Sequence, residues 1–196
     1  MVGCKIFIFL FIFVYLSNNT RKYVTMIYPI GIQSFEKLRK GGYLYVDKTA
    51  FVYELATTGS YYFLSRPRRF GKSLLISTLE AYFDGRKELF KGLAIEKLEK
   101  HWMKYPILHI DLNTEKYNTP ESLERILNFT LLNWEKLYGS GPGETSLALR
   151  FRGIVERAAR QAGQGVVILI DEYDKPMLQA IGNEDLQSAY RSTLKS

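Results

Sequence analysis

Val166-Val167-Ile168-Leu169-Ile170 is an unbroken apolar run of β-branched residues and leucine, and it leads directly into Asp171-Glu172. A strand of this composition has no polar face. It is expected to be buried on both sides, and such strands belong to parallel sheets covered by helices. The covering helices are legible around it. Lys72 to Phe83 carries Leu74, Leu75, Leu79 and Tyr82-Phe83 at helical spacing. Pro120-Glu121 opens a second long helix through Leu123, Ile126, Leu127, Leu131 and Trp134. Ser146 to Ala162 reads as a third, closed by Gly163. Ile107 to Leu112 is a further strand. Helices alternating with buried strands define an α/β fold.

Shorter elements fill the N-terminal half. Ser34 to Arg39 reads as a helix capped by Ser34, and Gly41-Gly42 breaks it. Tyr43 to Val46 is strand-like. Asp47 then caps a helix running to about Thr57. Tyr61 to Leu64 is aromatic and apolar, which suits a buried strand. Glu96 to Trp102 reads as one or two helical turns.

Two motifs carry chemistry. Gly71-Lys72-Ser73 is the end of the phosphate-loop pattern G-x-x-x-x-G-K-[ST], but Arg66 stands where the first glycine belongs. The motif is either a nucleotide loop with one glycine replaced or a basic stretch containing G-K-S by chance. Its setting favours the first reading, because an expected strand precedes it and a helix follows. In that geometry the backbone N–H groups and the helix N-terminus face the phosphates. Gly71 lets the backbone approach without a Cβ, Lys72 reaches the β- and γ-phosphates, and the Ser73 hydroxyl binds Mg²⁺. Arg66, Pro67, Arg68, Arg69, Phe70 and Leu74 complete the loop. Pro67 pre-sets φ near −65° and pushes Arg66 toward extended geometry.

The second motif is the run that opened this section. Apolar residues ending in Asp-Glu have the Walker B form. Asp171 at the strand end is expected to hold Mg²⁺. Glu172, one residue on, is expected to point to the other side of the pleat and to serve as general base toward water. Both motifs occur in the required order, which makes ATP and Mg²⁺ the expected ligands.

The whole composition is compatible with this reading. Hydrophobic residues make up 46% of the 196, so a packed core is expected, and the net charge of +7 favours phosphate-bearing partners. Cys4 is the single cysteine, so no intrachain disulfide forms and a reducing, cytoplasmic setting is the simpler expectation. His101 and His109 have no Cys or carboxylate cluster around them and do not read as metal ligands.

The blocks Y-P-I-G-I-Q-S-F-E-K-L-R-K-G-G-Y-L-Y-V-D-K-T, R-P-R-R-F-G-K-S, Y-P-I-L-H-I-D-L-N and V-V-I-L-I-D-E-Y-D-K-P resemble the AAA-ATPase-like domain of a large bacterial family. That resemblance spans Tyr28 to about Pro176, with a continuation to Ser196. It implies a P-loop NTPase fold with a parallel sheet flanked by helices, and it makes Arg66 a family variant of the loop. It implies Mg²⁺-dependent ATP hydrolysis in full-length members. It also implies two things beyond Ser196: a sensor strand lying between the loop strand and the Walker B strand, and a C-terminal nuclease-like domain through which nucleic acid is a possible partner. On this expectation the chain is a fragment, incomplete at the C-terminus, with negligible turnover of its own. The competing readings are a nucleotide- or partner-binding module without turnover, and an inactive fragment.

Residues 1–25 lie outside the resemblance, and residues 26–196 form the expected partial domain. The apolar run Ile6 to Leu16 is too short for a membrane span, which takes ~20 residues. It reads as translated upstream sequence or a signal-like segment. Oligomeric state is not legible.

Overall fold

The structure is a computed structural model and describes residues 27–65 and 70–195. The apolar run near the N-terminus and Arg66, Pro67, Arg68 and Arg69 lie outside the described residues.

Eight α-helices and two strands are formed by the described residues: α1 (Phe35–Lys40), α2 (Thr49–Thr58), α3 (Lys72–Phe83), α4 (Ile95–Leu98), β1 (Ile107–Asp111), α5 (Glu121–Tyr138), α6 (Leu147–Ala162), β2 (Val167–Asp171), α7 (Lys175–Gln179) and α8 (Glu184–Lys195). A 3-10 turn, Lys87–Phe90, follows α3. The architecture is mixed helix and sheet with a small parallel sheet, consistent with the α/β expectation.

The packing has two apolar centres. Phe35, Val52, Ala81, Tyr82, Leu89, Phe90, Leu93 and Ile95 form the first, around α1, α2 and the C-terminal half of α3. Phe35 is fully buried there, with its ring 4.8 Å from Phe90 and 5.2 Å from Tyr45. Leu108, Ile110, Leu123, Leu131, Trp134, Ile154, Leu186 and Tyr190 form most of the second, between β1 and the α5, α6 and α8 helices. Bidentate Arg150–Glu135 contacts at 2.7 and 3.0 Å tie α6 to α5 beside this core.

Local chemistry explains the helix ends. Ser34 accepts from the Lys37 N–H and caps α1; Ser146 accepts from the Leu149 N–H and caps α6. Gly163 closes α6 in the left-handed conformation. Asp47 acts one residue earlier than a simple cap. Its Oδ1 accepts from the Thr49 N–H at 2.8 Å, and its Oδ2 accepts from the Ala94 N–H at 2.7 Å, so it binds the start of α2 to the start of α4.

Several sequence expectations need correction. Tyr61 to Leu64 is not a buried strand: it has no ladder partner, and Tyr61 and Phe63 are 97% and 75% exposed. An apolar run becomes a strand only when a neighbour takes its backbone hydrogen bonds, and among the described residues none does. Tyr43 to Val46 contributes only an isolated bridge from Tyr43 to Ile27. The helix expected over Glu96 to Trp102 is the single turn Ile95–Leu98; the Glu99 N–H closes it and Trp102 already lies at φ 46°.

β2 also differs from expectation. It pairs in parallel with β1 in the register Leu108↔Ile168, His109↔Leu169, Ile110↔Ile170 and Asp111↔Asp171. Register partners share a face. Leu108 and Ile110 are buried, yet Ile168 and Ile170 beside them are 42% and 46% exposed. On this face the helices cover β1 and leave Ile168 and Ile170 of β2 half-exposed, and the other edge of β2 has no partner among the described residues. An open apolar edge is a template for self-association. Ile170→Lys is therefore expected to lower concentration-dependent light scattering. It should cost less than about 1 kcal/mol in chemical denaturation, because a half-exposed isoleucine holds only part of the ~1.5–3 kcal/mol of a buried one. Unchanged scattering would show that this edge is not what associates.

Candidate nucleotide site

Gly71 is the N-cap of α3 and lies in the left-handed region at φ 79°. A side chain there would be strained on backbone grounds, although a Cβ would meet nothing within 4 Å. Among the described residues nothing fills the space in front of this glycine, which would suit close approach of a phosphate to the backbone. Lys72 and Ser73 are the first residues of α3, and Leu74 follows in the same turn; all three are half-buried. Phe70 is 63% exposed. The first helical N–H groups and the positive end of the helix dipole thus sit beside Lys72 and Ser73.

The position of α3 is set from below. The Ser77 hydroxyl accepts the Phe35 N–H at 2.9 Å, which docks the start of α1 onto the middle of α3. Ala81 and Tyr82 enter the first apolar core. On its other side α3 packs against β2.

Asp171 ends β2 and Asp111 ends β1, side by side in register and on one face of the sheet. His109 and Leu169 share that face, which is the face toward α3. The Asp171 Oδ1 accepts the Glu172 N–H at 2.9 Å. Glu172 lies beyond the strand with φ 53°, a left-handed conformation rare outside glycine. The turn therefore sets the direction of its carboxylate, and the expected alternation of the pleat does not apply to it. Strain of this kind, roughly 1–3 kcal/mol, clusters at functional sites.

One ring contact joins the two motifs. Phe63, just before the loop, lies 4.9 Å from Tyr173, just after Glu172. The segment entering Gly71-Lys72-Ser73 and the turn leaving β2 are thereby neighbours.

Sequence reasoning missed the groups around this turn. Lys175 donates to the backbone carbonyl of Asn113 and, at 3.1 Å, to its Oδ1. Tyr117 donates its N–H to the Gln179 Oε1 at 2.8 Å. These residues lie in or near the D-E-Y-D-K-P and H-I-D-L-N blocks, but their pairing across the two strand ends is non-local. His109, which does not read as a metal ligand in the sequence, is half-buried on β1. Its Nδ1 is 3.7 Å from the Glu80 carboxylate on α3, and its Nε2 is buried without a hydrogen-bond partner among the described residues.

Glu80 raises the pKa of His109 above its usual 6.5; burial opposes this, and Asp111 and Asp171 add to the rise. A raised folded value means the contact stabilises fully below about pH 6.5 and is lost as pH rises through the folded pKa. Unfolding free energy is expected to decline from pH 6.5 upward, and Glu80→Gln should flatten that decline. Both side chains are partly exposed, so the difference should stay below about 1 kcal/mol. Identical pH profiles by chemical denaturation would refute the pairing.

A cleft of about 780 Å³ lies elsewhere, between the C-terminal half of α3 and the start of β1. Most of its charges are paired: Arg86 binds Glu36 at 2.7 Å, Lys104 binds Asp84 at 2.8 Å, and Glu80 faces His109. Arg86, and then Lys40, hold the Glu36 carboxyl down at about 2. Neither Lys72 nor Asp171 lines this cleft. Among the described residues no group of three or more His, Cys, Asp or Glu is arranged to hold a metal. No helix of the described residues is long and apolar enough to cross a membrane.

A glycine-capped helix beginning Lys-Ser, packed on a parallel strand that ends at Asp171 with Glu172 just beyond it, is an arrangement of the kind nucleotide-binding α/β proteins use. The chain belongs to the AAA-ATPase-like family: the family profile described as "Predicted AAA-ATPase" matches residues 29–196. It is also 38% identical, over 170 residues, to an "Uncharacterized protein in vnfD 5'region" of Azotobacter chroococcum mcd 1. That match takes in 86% of this chain and 33% of the relative, so the chain spans about a third of the length of that curated protein. No solved structure matches.

Proposed function

We propose that residues 26–196 form the nucleotide-binding core of a P-loop ATPase that takes ATP with Mg²⁺. The observation that carries this reading is the packing of α3, with Gly71 at its left-handed N-cap, against the strand that ends in Asp171. Family membership points the same way, to ATP-binding ATPases at the level of class.

In this reading the loop Arg66, Pro67, Arg68, Arg69, Phe70, Gly71, Lys72, Ser73 and Leu74 surrounds the phosphates. Lys72 pairs with the β- and γ-phosphate oxygens. Ser73 and Asp171 are the residues that would hold Mg²⁺, which when bound neutralises charge on the phosphates. Glu172 takes a proton from water as the water oxygen bonds to the γ-phosphorus and the bond to the ADP oxygen breaks.

Binding without turnover is the competing reading. The exposed Tyr61 to Leu64 segment favours it, because among the described residues the loop entry is held by side-chain contacts, the Tyr62 and Thr58 hydroxyls at 3.1 Å and the Phe63–Tyr173 rings, and not by a strand ladder. Calorimetric titration with ATP, with and without Mg²⁺, tests the shared part of both readings. Saturable binding strengthened by Mg²⁺ is expected, and absence of binding heat and of any thermal shift would overturn both. Phosphate release then separates turnover from binding alone.

A further inference from the structure

We propose that Lys175 is a positioning residue that clamps the Asp171-Glu172 turn to the end of the neighbouring strand; the catalytic part of this inference rests on the role given above to Glu172. Three carboxylates, Asp171, Glu172 and Asp174, occur within four residues of the chain, and Asp111 ends the adjacent strand. Like charges at this density repel, and Glu172 additionally holds a left-handed backbone that costs free energy. Something must keep this turn in one conformation.

Local contacts are few. The Glu172 N–H donates to Asp171 Oδ1, and the Lys175 N–H donates to the Glu172 carbonyl at 3.0 Å. Both stay within the turn and would move with it. Beside the Tyr173 ring, which meets Phe63 at 4.9 Å, the Lys175 ammonium is the charged group that leaves the turn. It donates to both oxygens of Asn113, two residues past the end of β1, and lies 5.9 Å above the centre of the Tyr117 ring. Asn113 is itself anchored, since its N–H donates to the Asp111 Oδ1 at 2.8 Å. Tyr117 is anchored by its hydroxyl, which donates to the Leu112 carbonyl at 2.8 Å. The Leu112 N–H in turn donates to the Asp171 carbonyl at 3.1 Å. A closed circuit thus runs from Asp171 through Leu112 and Asn113 to Lys175 and back to Glu172. Lys175 is the one cation in it. Its removal opens the circuit on the side that carries Glu172 and leaves the β1–β2 ladder intact.

The test compares the 196-residue chain with Lys175→Met, which keeps the aliphatic stem over Tyr117, and Lys175→Arg, which keeps a charged donor. Amide hydrogen exchange of residues 172–174 is read against that of Val167 to Ile170. In Lys175→Met the turn is expected to exchange about 10-fold faster or more, with β2 unchanged, since a charge-assisted bond no longer opposes local opening. Lys175→Arg should recover most of the protection. For ATP with Mg²⁺, Lys175→Met should lower kcat by about 10- to 50-fold with KM within about 3-fold, the pattern of a group that acts on the chemical step and not on substrate binding.

Unchanged exchange in Lys175→Met would overturn the clamp, as would equal acceleration in β2. A rise in KM at constant kcat would overturn its catalytic link. If the wild-type chain shows no turnover while the exchange result holds, the reading of this chain as an active ATPase gives way to binding alone, the catalytic link falls and the clamp stands. If turnover is present and exchange is unchanged, the clamp alone falls.

Discussion

Lys72→Ala is expected to lose most of the affinity for ATP with Mg²⁺, by about 10- to 100-fold or more. Charge-assisted hydrogen bonds contribute about 1.5–3 kcal/mol each, and every 1.4 kcal/mol is tenfold in Kd. Lys72 is the first residue of α3, directly after the left-handed Gly71, so its backbone and its ammonium are presented at the same helix end. A phosphate there would meet helix N–H groups whose positions do not depend on the lysine side chain. Residual weak binding is therefore expected from the backbone, with the ammonium supplying most of the selectivity for a polyphosphate. Because Lys72 is only half-buried and lies outside both apolar cores, the substitution should leave the unfolding midpoint of the free protein nearly unchanged. The measurement is calorimetric titration of both proteins beside thermal unfolding without ligand. Equal affinity would refute the loop assignment, and loss of affinity together with a collapsed midpoint would mean that α3, and not the phosphate contact, had been lost.

The elements carried by local chemistry were legible in the sequence, and those that need a distant partner were not. Helix α3 covers the span expected from its apolar spacing, Lys72 to Phe83. Ser34 and Gly163 perform the capping roles read for them, and Ser146, read as the first helical residue, is the N-cap of α6, because a cap is satisfied by backbone groups within a few residues. β1 is a strand within one residue of expectation, and β2 runs one residue later than the apolar run itself. Tyr61 to Leu64 has the same strand-like composition but no neighbour to complete it. Periodicity and composition report what a segment can bury; they do not report which edge will pair with it. The exposure of Ile168 and Ile170 is the same lesson seen from the other side.

For the candidate site, the elements on which the motif residues stand were legible, and the geometry around them was only partly so. Gly71, Lys72 and Ser73 stand at a helix start, as the motif requires, and Asp171 stands at a strand end. The left-handed backbone of Glu172 was invisible, since nothing in Asp-Glu-Tyr-Asp calls for a positive φ. Lys175, Asn113 and Tyr117 were passed over for a related reason. Their contacts cross more than 50 residues of chain and arise only because β1 and β2 lie in register. Glu80 and His109 likewise meet only once α3 docks on the sheet.

Glu172→Gln is expected to keep ATP binding within a few-fold of the parent and to lower kcat by about 10²- to 10⁴-fold wherever the parent turns ATP over, the range typical for loss of a general base. The amide is nearly isosteric with the carboxylate and cannot accept a proton from water. The Glu172 backbone would be unaffected, because its turn is held by the Asp171 Oδ1, by the Lys175 N–H on its carbonyl and by the Lys175 bridge to Asn113. Asp171→Asn should behave differently. Asp171 is in register with Asp111 at the strand ends, and in the proposed site neutralising it would remove charge that holds Mg²⁺. Its expected signature is a higher Mg²⁺ concentration for half-maximal binding, with ATP binding in the absence of Mg²⁺ unchanged. Single-turnover phosphate release and Mg²⁺ titrations on the two variants separate these roles. Parental turnover in Glu172→Gln would remove the general-base assignment. Identical Mg²⁺ dependence in Asp171→Asn would remove the metal assignment, and either result would leave the contribution of Lys72 to binding standing on its own.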